Sequence, residues 1–466
     1  MRVGICAIAA MIIGVVVLAT GQARAQSSGP VYQSSRYDDD FRYLRAPGHP
    51  TDFWDPIKDI QFENSLGSYL SLGGEFRERF ETYADPLFGL KRQGSDTYLL
   101  HRILVHADLH VSDNLRGFVQ LGSELETGKN QPLSPTDQDR LDLQQGFIEA
   151  RAPVSGAPAP SLRAGRQEMV FGSQRLVGVR EGTNVRRSFD GFRGFDTLGD
   201  VRLDLFATRP VRLRQGVFDD QPDHAQAFWG AYATAPVGFL PPLKMDLYYL
   251  GYENDLARFG GLRGEERRHS LGTRLFGAAA DWDWNVEGLG QFGHFGNRDI
   301  RAWTVASDTG RTLPDIPWQP RLGLKANVAS GDHNPRGGTL GTFNPLFPKL
   351  PYFNEATLIV PSNFFDIYPS VTVRPTTSLS ITLGWDFLWR ESKRDAVYAS
   401  PFTAIAGTAQ ANARRIGDQI ALEAQWQADA HLAFTGSLVR FNAGPTIRSA
   451  GGKDVDFAML AASYRY

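Results

Sequence analysis

Ser380-Ile381-Thr382-Leu383-Gly384-Trp385-Asp386-Phe387-Leu388-Trp389-Arg390 alternates like a ladder: every odd position is large and apolar, and the even positions are mostly small or polar. Period-two alternation places one set of side chains on each face of a strand. Segments of this kind recur down the chain, and the chain ends on one, Ala458-Met459-Leu460-Ala461-Ala462-Ser463-Tyr464-Arg465-Tyr466. A final aromatic residue, with Tyr464, Ala462 and Leu460 on the same face, is how bacterial outer-membrane barrels finish. The pattern predicts an all-β chain, a transmembrane antiparallel β-barrel of porin type.

From Tyr69 onward the alternation defines eighteen strands, over 68–80, 97–111, 115–126, 140–152, 161–172, 186–196, 200–210, 226–235, 243–253, 266–278, 281–292, 299–306, 318–329, 364–374, 377–390, 416–427, 430–442 and 455–466. The connections sort by parity. After even strands they are mostly short, such as Ser112-Asp113-Asn114, Thr197-Leu198-Gly199 and Ala279-Ala280; after odd strands they are long, the extremes being 330–363 and 391–415. Short periplasmic turns, long outer loops and an even strand number produce this alternation, with both termini on the periplasmic side. A soluble sandwich or propeller gives no reason for it. Two even-side connections, 153–160 and 307–317, are longer and are positioned to fold under the pore.

At the N-terminus Arg2 precedes an apolar run from Val3 to Thr20, and Ala23-Arg24-Ala25 forms a small-x-small cleavage site before Gln26. Residues 1–25 therefore read as a secretory signal peptide, 26–66 as a polar periplasmic lead-in, and 67–466 as the barrel, placed in the outer membrane after export. The only cysteine, Cys6, lies in the leader, which excludes a disulfide, a thiolate metal site and a thiol nucleophile from the mature chain. Loss of Arg2 and Arg24 takes the formal net charge from −2 to −4, so no basic excess points to nucleic acid. No later apolar run approaches the roughly 20 residues of a membrane helix. Hydrophobic content is 42%, which suits a lipid face outside and a polar lumen inside.

Taking the apolar parity as lipid-facing assigns the lumen. Strand one turns Leu70, Leu72, Phe76 and Phe80 outward and Glu75, Arg77 and Arg79 inward; strand two leaves Arg102, His106, Asp108 and His110 inside. The same logic points Arg116, Glu124, Arg202, Asp204, Lys244, Asp246, Arg274, Asp283, Glu287, Arg321, Lys325, Asp386, Arg390 and Glu423 inward. Arg or Lys on the lipid face would cost roughly 2–4 kcal/mol at the bilayer midplane. Acids and bases are nearly balanced, so composition alone does not make the lumen anion-selective. Trp282, Trp284, Trp385 and Trp389 take outward parity and read as interfacial girdle residues.

No motif announces catalysis, a cofactor or a metal. His106 and His110 stand four apart, about 13 Å on a strand, too far for one ion. Ser330-Gly331-Asp332-His333 holds the three triad residue types, but a triad is defined by roles in space and adjacent loop residues rarely adopt them. The glycines build no phosphate loop, since none joins a strand to a helix.

Several stretches resemble the alginate-export family of outer-membrane barrels. They are Leu70–Glu81; Leu162–Glu168 with Phe171–Gly178 and Asn184–Gly191; Ser330-Gly331-Asp332 with Gly341–Pro348; Leu388–Ser392 with Asp395–Tyr398; and Arg440–Gly444. They span residues 70 to 466 in the family's order. The resemblance implies an eighteen-stranded barrel that passes an anionic uronate polysaccharide outward through an Arg-rich constriction. Carried onto matching motifs, the constriction falls to Arg77, Arg79, Arg166, Asp190 and Arg390.

The expectation is a channel, not an enzyme, in which guanidiniums pair transiently with carboxylates of a passing substrate through their planar donor fork. Conduction needs several weak sites in series. The cargo is an alginate-like anionic polysaccharide or, alternatively, a small anionic solute such as a sugar acid or aromatic acid. An outer-membrane barrel protease or lipase would need a Ser/His/Asp cluster at a rim. Expected partners are outer-membrane lipid, the barrel-assembly machinery and periplasmic export proteins.

Overall fold

The computed structural model describes residues 30–49, 51–62, 67–90, 94–152, 160–238, 242–259, 261–400 and 402–466. The expected signal peptide and residues 153–159 of one long connection lie outside the described residues.

Eighteen long strands form the wall: β1 (Tyr69–Ala84), β2 (Ser95–Ser112), β3 (Leu115–Thr127), β4 (Asp139–Arg151), β5 (Ser161–Gln167), β6 (Phe189–Leu198), β7 (Val201–Arg212), β8 (Gln226–Pro236), β9 (Lys244–Phe259), β10 (Leu262–Ala279), β11 (Trp282–Phe295), β12 (Arg298–Thr312), β13 (Arg321–Ala329), β14 (Phe364–Thr376), β15 (Leu379–Trp389), β16 (Arg415–Gln427), β17 (Leu432–Ala443) and β18 (Val455–Arg465). Each pairs antiparallel with its neighbour in sequence, from β1–β2 to β17–β18. The last strand returns to the first, with Phe76 opposite Tyr464 and Phe80 opposite Leu460, so the barrel is closed. Closure satisfies every wall strand on both edges, the condition for a sheet in lipid.

The faces follow the alternation. Ile103, Val105, Leu247, Leu271, Leu383 and Trp385 are exposed on the outside, whereas Arg102, Asp246, Asp386 and Arg390 are buried inside. Strand lengths differ from expectation where polar residues continue a ladder. β12 runs on to Thr312, because Asp308 sits opposite Lys325 on the inner face and Ser307 hydrogen-bonds across to the carbonyl of Ala326. β5 ends at Gln167, five residues early, because the chain from Glu168 turns into the barrel.

That turn is built on a glycine pair. Gly165 and Gly191 face each other across β5 and β6 at φ +131° and +153°. A Cβ on either would lie 2.3 Å from a backbone oxygen, of Gly146 and Ala207 respectively, so neighbouring strands approach as only glycine permits.

The interior is not the evenly charged lumen that parity predicts. The connection 168–188 and the connection 330–363 both fold inward and join. Gly178 N donates to Phe347 O at 2.9 Å, Phe347 N to Leu176 O at 2.9 Å, and Gly182 N to Leu350 O at 2.7 Å. Met169, Phe171, Leu176, Val177, Phe343 and Phe347 pack with inward wall residues Phe189, Phe206, Phe228 and Tyr248 in one apolar cluster. The barrel thus has a core made largely of its own loops.

The lead-in closes the opposite, short-turn end. Tyr37 inserts between Phe118 and Phe147, with ring centroids 6.1 and 5.6 Å away, and its hydroxyl donates to Glu168 O at 3.1 Å. Arg36 donates to Gly74 O and Tyr466 O, and Trp54 stacks on Tyr466 at 4.4 Å.

Candidate functional site

The inward arginines of the wall chiefly hold the loop plug. Arg102 is 0% exposed; its Nε donates to Asn184 O at 2.8 Å, Nη2 to Thr183 O at 2.7 Å, and Nη1 meets Glu181 Oε1 at 2.7 Å and Glu75 Oε1 at 3.1 Å. Arg77 donates to Glu181 O and Thr183 O at 2.8 and 2.9 Å. Asn184 returns three donor contacts, to the carbonyls of His101, Leu125 and Asp137. From the loop, Arg186 pairs with Glu168 at 2.8 Å and with Glu181 at 2.6 Å. Burial opposes ionisation of Glu181, but the guanidiniums of Arg186 and Arg102 outweigh it and hold the carboxyl below the usual carboxylate range.

The remaining predicted site residues are also mostly paired. Arg79 bridges Glu81 and Glu355, at 2.5 and 2.8 Å. Arg166 grips Asp190 through Nε and Nη2 at 2.9 and 3.0 Å and reaches Asp142 at 3.4 Å. Arg116 binds Asp108, Arg202 binds Asp204, Arg274 binds Asp246, and Arg321 binds Asp283 and Asp308. Lys325 stands 3.9 Å from Asp308, and Lys244 is exposed at the short-turn end of β9.

Three expected pore-lining residues are at most 1% exposed. Arg390 is 0% exposed and donates to the carbonyls of Lys393, Asp395, Thr408, Ala411 and Ala413, so it organises the outer loop 390–414. Arg102 lies beneath the plug. Asp386 is 1% exposed and accepts from Gln419 Nε2 at 2.8 Å. Their inward parity holds; what covers them is loop or neighbouring side chain instead of water.

Two cations that sequence parity missed lie on the plug itself. Arg180 and Arg187 line a cavity of about 480 Å³ at the long-loop end, walled by Arg212, Arg258, Asp223, Glu266, Tyr252, Asn344 and Phe347 among others. Neither has a carboxylate partner among the described residues. Arg180 Nε has no hydrogen-bond acceptor; Arg187 touches Pro348 O at 3.5 Å and lies over the Phe347 ring at 5.1 Å. Burial lowers Arg180 to about 10, and burial together with the Arg180 charge lowers Arg187 too. Mutual repulsion of this kind is relieved by an anion. Nearer the short-turn end, a cavity of about 80 Å³ is lined by Arg175, Lys325, Lys349, Asp308 and Asp366. Burial and the charges of Lys325 and Arg175 lower Lys349 to about 8. Arg187 falls inside the strand expected over 186–196, which begins instead at Phe189, and Arg180 lies in the connection before it, where there is no strand parity to read.

The triad types at 330–333 do not assemble. The Ser330 hydroxyl donates to Gly341 O at 2.8 Å and accepts from Trp303 N, while the His333 ring meets Glu391 at 3.0 Å. His106 stacks near Phe118 and His110 on Tyr69, at 5.4 and 4.2 Å.

A family model described as alginate export matches residues 68–461. No curated protein matches the chain. Among solved structures, OccK8 (OprE) of Pseudomonas aeruginosa is similar at 12% identity and a TM-score of 0.56, covering 88% of this chain and 99% of that one. A BenF-like porin from Pseudomonas fluorescens gives 9% identity and a TM-score of 0.56, over 85% and 98% of the two chains. OpdK of Pseudomonas aeruginosa, solved with vanillate, gives 11% identity and a TM-score of 0.54 over 85% and 98%. At these identities the likeness is one of fold.

Proposed function

Because the chain belongs to the alginate export family and forms a closed eighteen-stranded barrel of outer-membrane porin architecture, it is an outer-membrane channel, and we propose that its cargo is a small carboxylate-bearing solute such as a sugar acid or an aromatic acid. The observation that carries this reading is the pair Arg180 and Arg187, without carboxylate partners among the described residues, facing a cavity of about 480 Å³. That volume lies within the usual range for small-ligand sites, roughly 300–1,000 Å³. A guanidinium fork offers a carboxylate two parallel donors, and the apolar ring of Phe347 beneath Arg187 suits the body of a sugar or arene. Below it, Arg175, Lys325 and Lys349 share a smaller cavity with Asp308 and Asp366, a further weak station of mixed charge in the series that conduction requires. No chemical step is needed, and the function proposed is passive.

Family membership favours a second cargo, a uronate polymer moving outward. It would meet the same arginines, but a chain in transit must displace the joined loops 168–188 and 330–363. Liposome-swelling and planar-bilayer measurements with sugar acids, aromatic acids and uronate oligomers of increasing length separate the two. Saturable uptake of monoacids that falls off steeply beyond one or two sugar units is expected. Equal permeability to neutral and acidic solutes of one size would refute the anionic reading.

A further inference from the structure

Asp139 and Asp142 stand three apart on β4, and residues three apart on a regular strand point to opposite faces. Here both point inward. Gly122 of β3 lies opposite Asp142 and Glu124 opposite Asp139, three steps on one strand against two on the other. This bulge turns both carboxylates to the inside, where Asp139 is 2% and Asp142 6% exposed. Asp219, from the outer connection 213–225, comes onto them. Its loop is held to β4 by a parallel bridge between Val217 and Leu141 and by Phe218 N donating to Leu141 O at 2.9 Å. One carboxylate oxygen from each of the three lies within 4.8 Å of the others.

Three backbone amides and one distant guanidinium compensate this group only in part. Asp142 accepts from Leu143 N at 2.7 Å and Asp220 N at 3.0 Å, and Asp219 accepts from Gly216 N at 3.2 Å. Among the described residues Asp139 Oδ1 receives no donor although buried, and neither does Oε1 of the buried Glu124 opposite it. Arg166 touches Asp142 only at 3.4 Å, its shorter contacts going to Asp190. A buried, donorless carboxylate oxygen beside two more carboxylates is costly unless a proton or a cation completes it, and a cation can serve all three at once.

We propose that Asp139, Asp142 and Asp219 form a divalent-cation site of calcium type that pins the 213–225 connection to the barrel wall. Oxygen-only ligands select a hard cation. At a calcium–oxygen distance of about 2.4 Å, two ligand oxygens stand at most about 4.8 Å apart, which the three carboxylates meet. Water and backbone carbonyls would supply the rest of the six to eight oxygens that calcium takes. The cation would sit beside the Arg166–Asp190 pair and so hold the rim of the long-loop end in place.

The test uses the folded barrel in detergent, free of lipopolysaccharide (itself a divalent-cation binder) and stripped with EDTA, titrated with calcium chloride in a calorimeter. One saturable site per chain is expected. Asp219→Asn changes a loop residue and leaves the wall intact; it is expected to weaken binding by about tenfold or more, as is Asp139→Asn, because affinity follows ligand charge. Asp315→Asn, on an exposed turn at the other end, should bind as the parent does. Calcium should also protect the bond after Arg214 from trypsin in the parent and not in Asp219→Asn. Heat-modifiable mobility on gels certifies that each variant is folded. No saturable uptake by the parent, or uptake by Asp139→Asn and Asp219→Asn as tight as the parent's, overturns the proposal.

Discussion

Replacing Arg180 and Arg187 together with glutamine removes two positive charges from the outer cavity and leaves the barrel wall untouched. A cavity of about 480 Å³ has a sphere-equivalent radius of about 5 Å, so a carboxylate inside stands about that far from the lining charges. At 5 Å each charge pair is worth about 0.8 kcal/mol at the dielectric of water and about 1.7 kcal/mol at half that value. For a hydrated vestibule the lower figure applies, and losing both guanidiniums costs a bound monoacid about 1.7 kcal/mol, or roughly 15- to 20-fold in occupancy. Single-channel block by a sugar acid, titrated in planar bilayers at about 0.1 M salt, reads this directly, since the Debye length there is about 10 Å. At 1 M salt, where it is about 3 Å, the difference between parent and double variant should largely vanish. Arg374→Gln, exposed near the short-turn end, is the control. A block affinity that is unchanged at low salt, or that falls equally at both salt concentrations, would refute the assignment of these arginines to the cargo site.

Arg102→Ala removes the guanidinium that Glu75 and Glu181 share and its donors to the Thr183 and Asn184 carbonyls, while Arg465 stays on Glu75 and Arg186 on Glu181; a cost of about 1–3 kcal/mol is expected, visible as a lower melting temperature and a larger, noisier conductance as the 168–188 loop loosens, and an unchanged conductance would argue against a plug held from the wall. Gly165→Ala or Gly191→Ala puts a methyl group 2.3 Å from a backbone oxygen, so the heat-modifiable barrel should form in much reduced yield, whereas normal yield would show that β5 and β6 can move apart. Lys58, in the lead-in, is lowered to about 7 by burial first and by the Arg36 charge. Between about pH 7 and its ordinary value of about 10.5 the docked segment binds fewer protons than the released one, so docking should strengthen as pH rises through that window and be weakest below it. A spin label on Gly48→Cys, usable because Cys6 in the expected leader is the only cysteine, should become less mobile from pH 6 to pH 9, and the opposite trend would reverse the sign assigned to Lys58.

The wall was legible in the sequence because a strand in lipid has one free choice per residue, outward or inward, and the price of an error is paid locally. Alternation in Leu70–Phe80 or Ile381–Arg390 gave the number of strands and the facing of each charge. It failed at boundaries where the rule changes. Ser307–Thr312 stays in a strand because its polar residues pair across the ladder, and Glu168 leaves one just past the paired glycines 165 and 191, where neighbouring strands come closest. Which arginine meets which acid was not legible. Arg102 finds Asn184 and Glu181 about eighty residues away, and Arg79 finds Glu355 at a separation of 276. A guanidinium on inward parity therefore reads the same whether it faces a passing solute or props a loop. The apolar residues of 168–188 carried a trace of the plug, but loops have no period from which a direction can be read. The sequence by itself thus determined a closed, eighteen-stranded, outward-greasy wall. Only the tertiary structure decided that two loops fill it, that most inward charges cancel one another, that Arg180 and Arg187 are left over, and that a bulge gathers Asp139 and Asp142 under Asp219, because each of these depends on contacts between segments far apart in the chain.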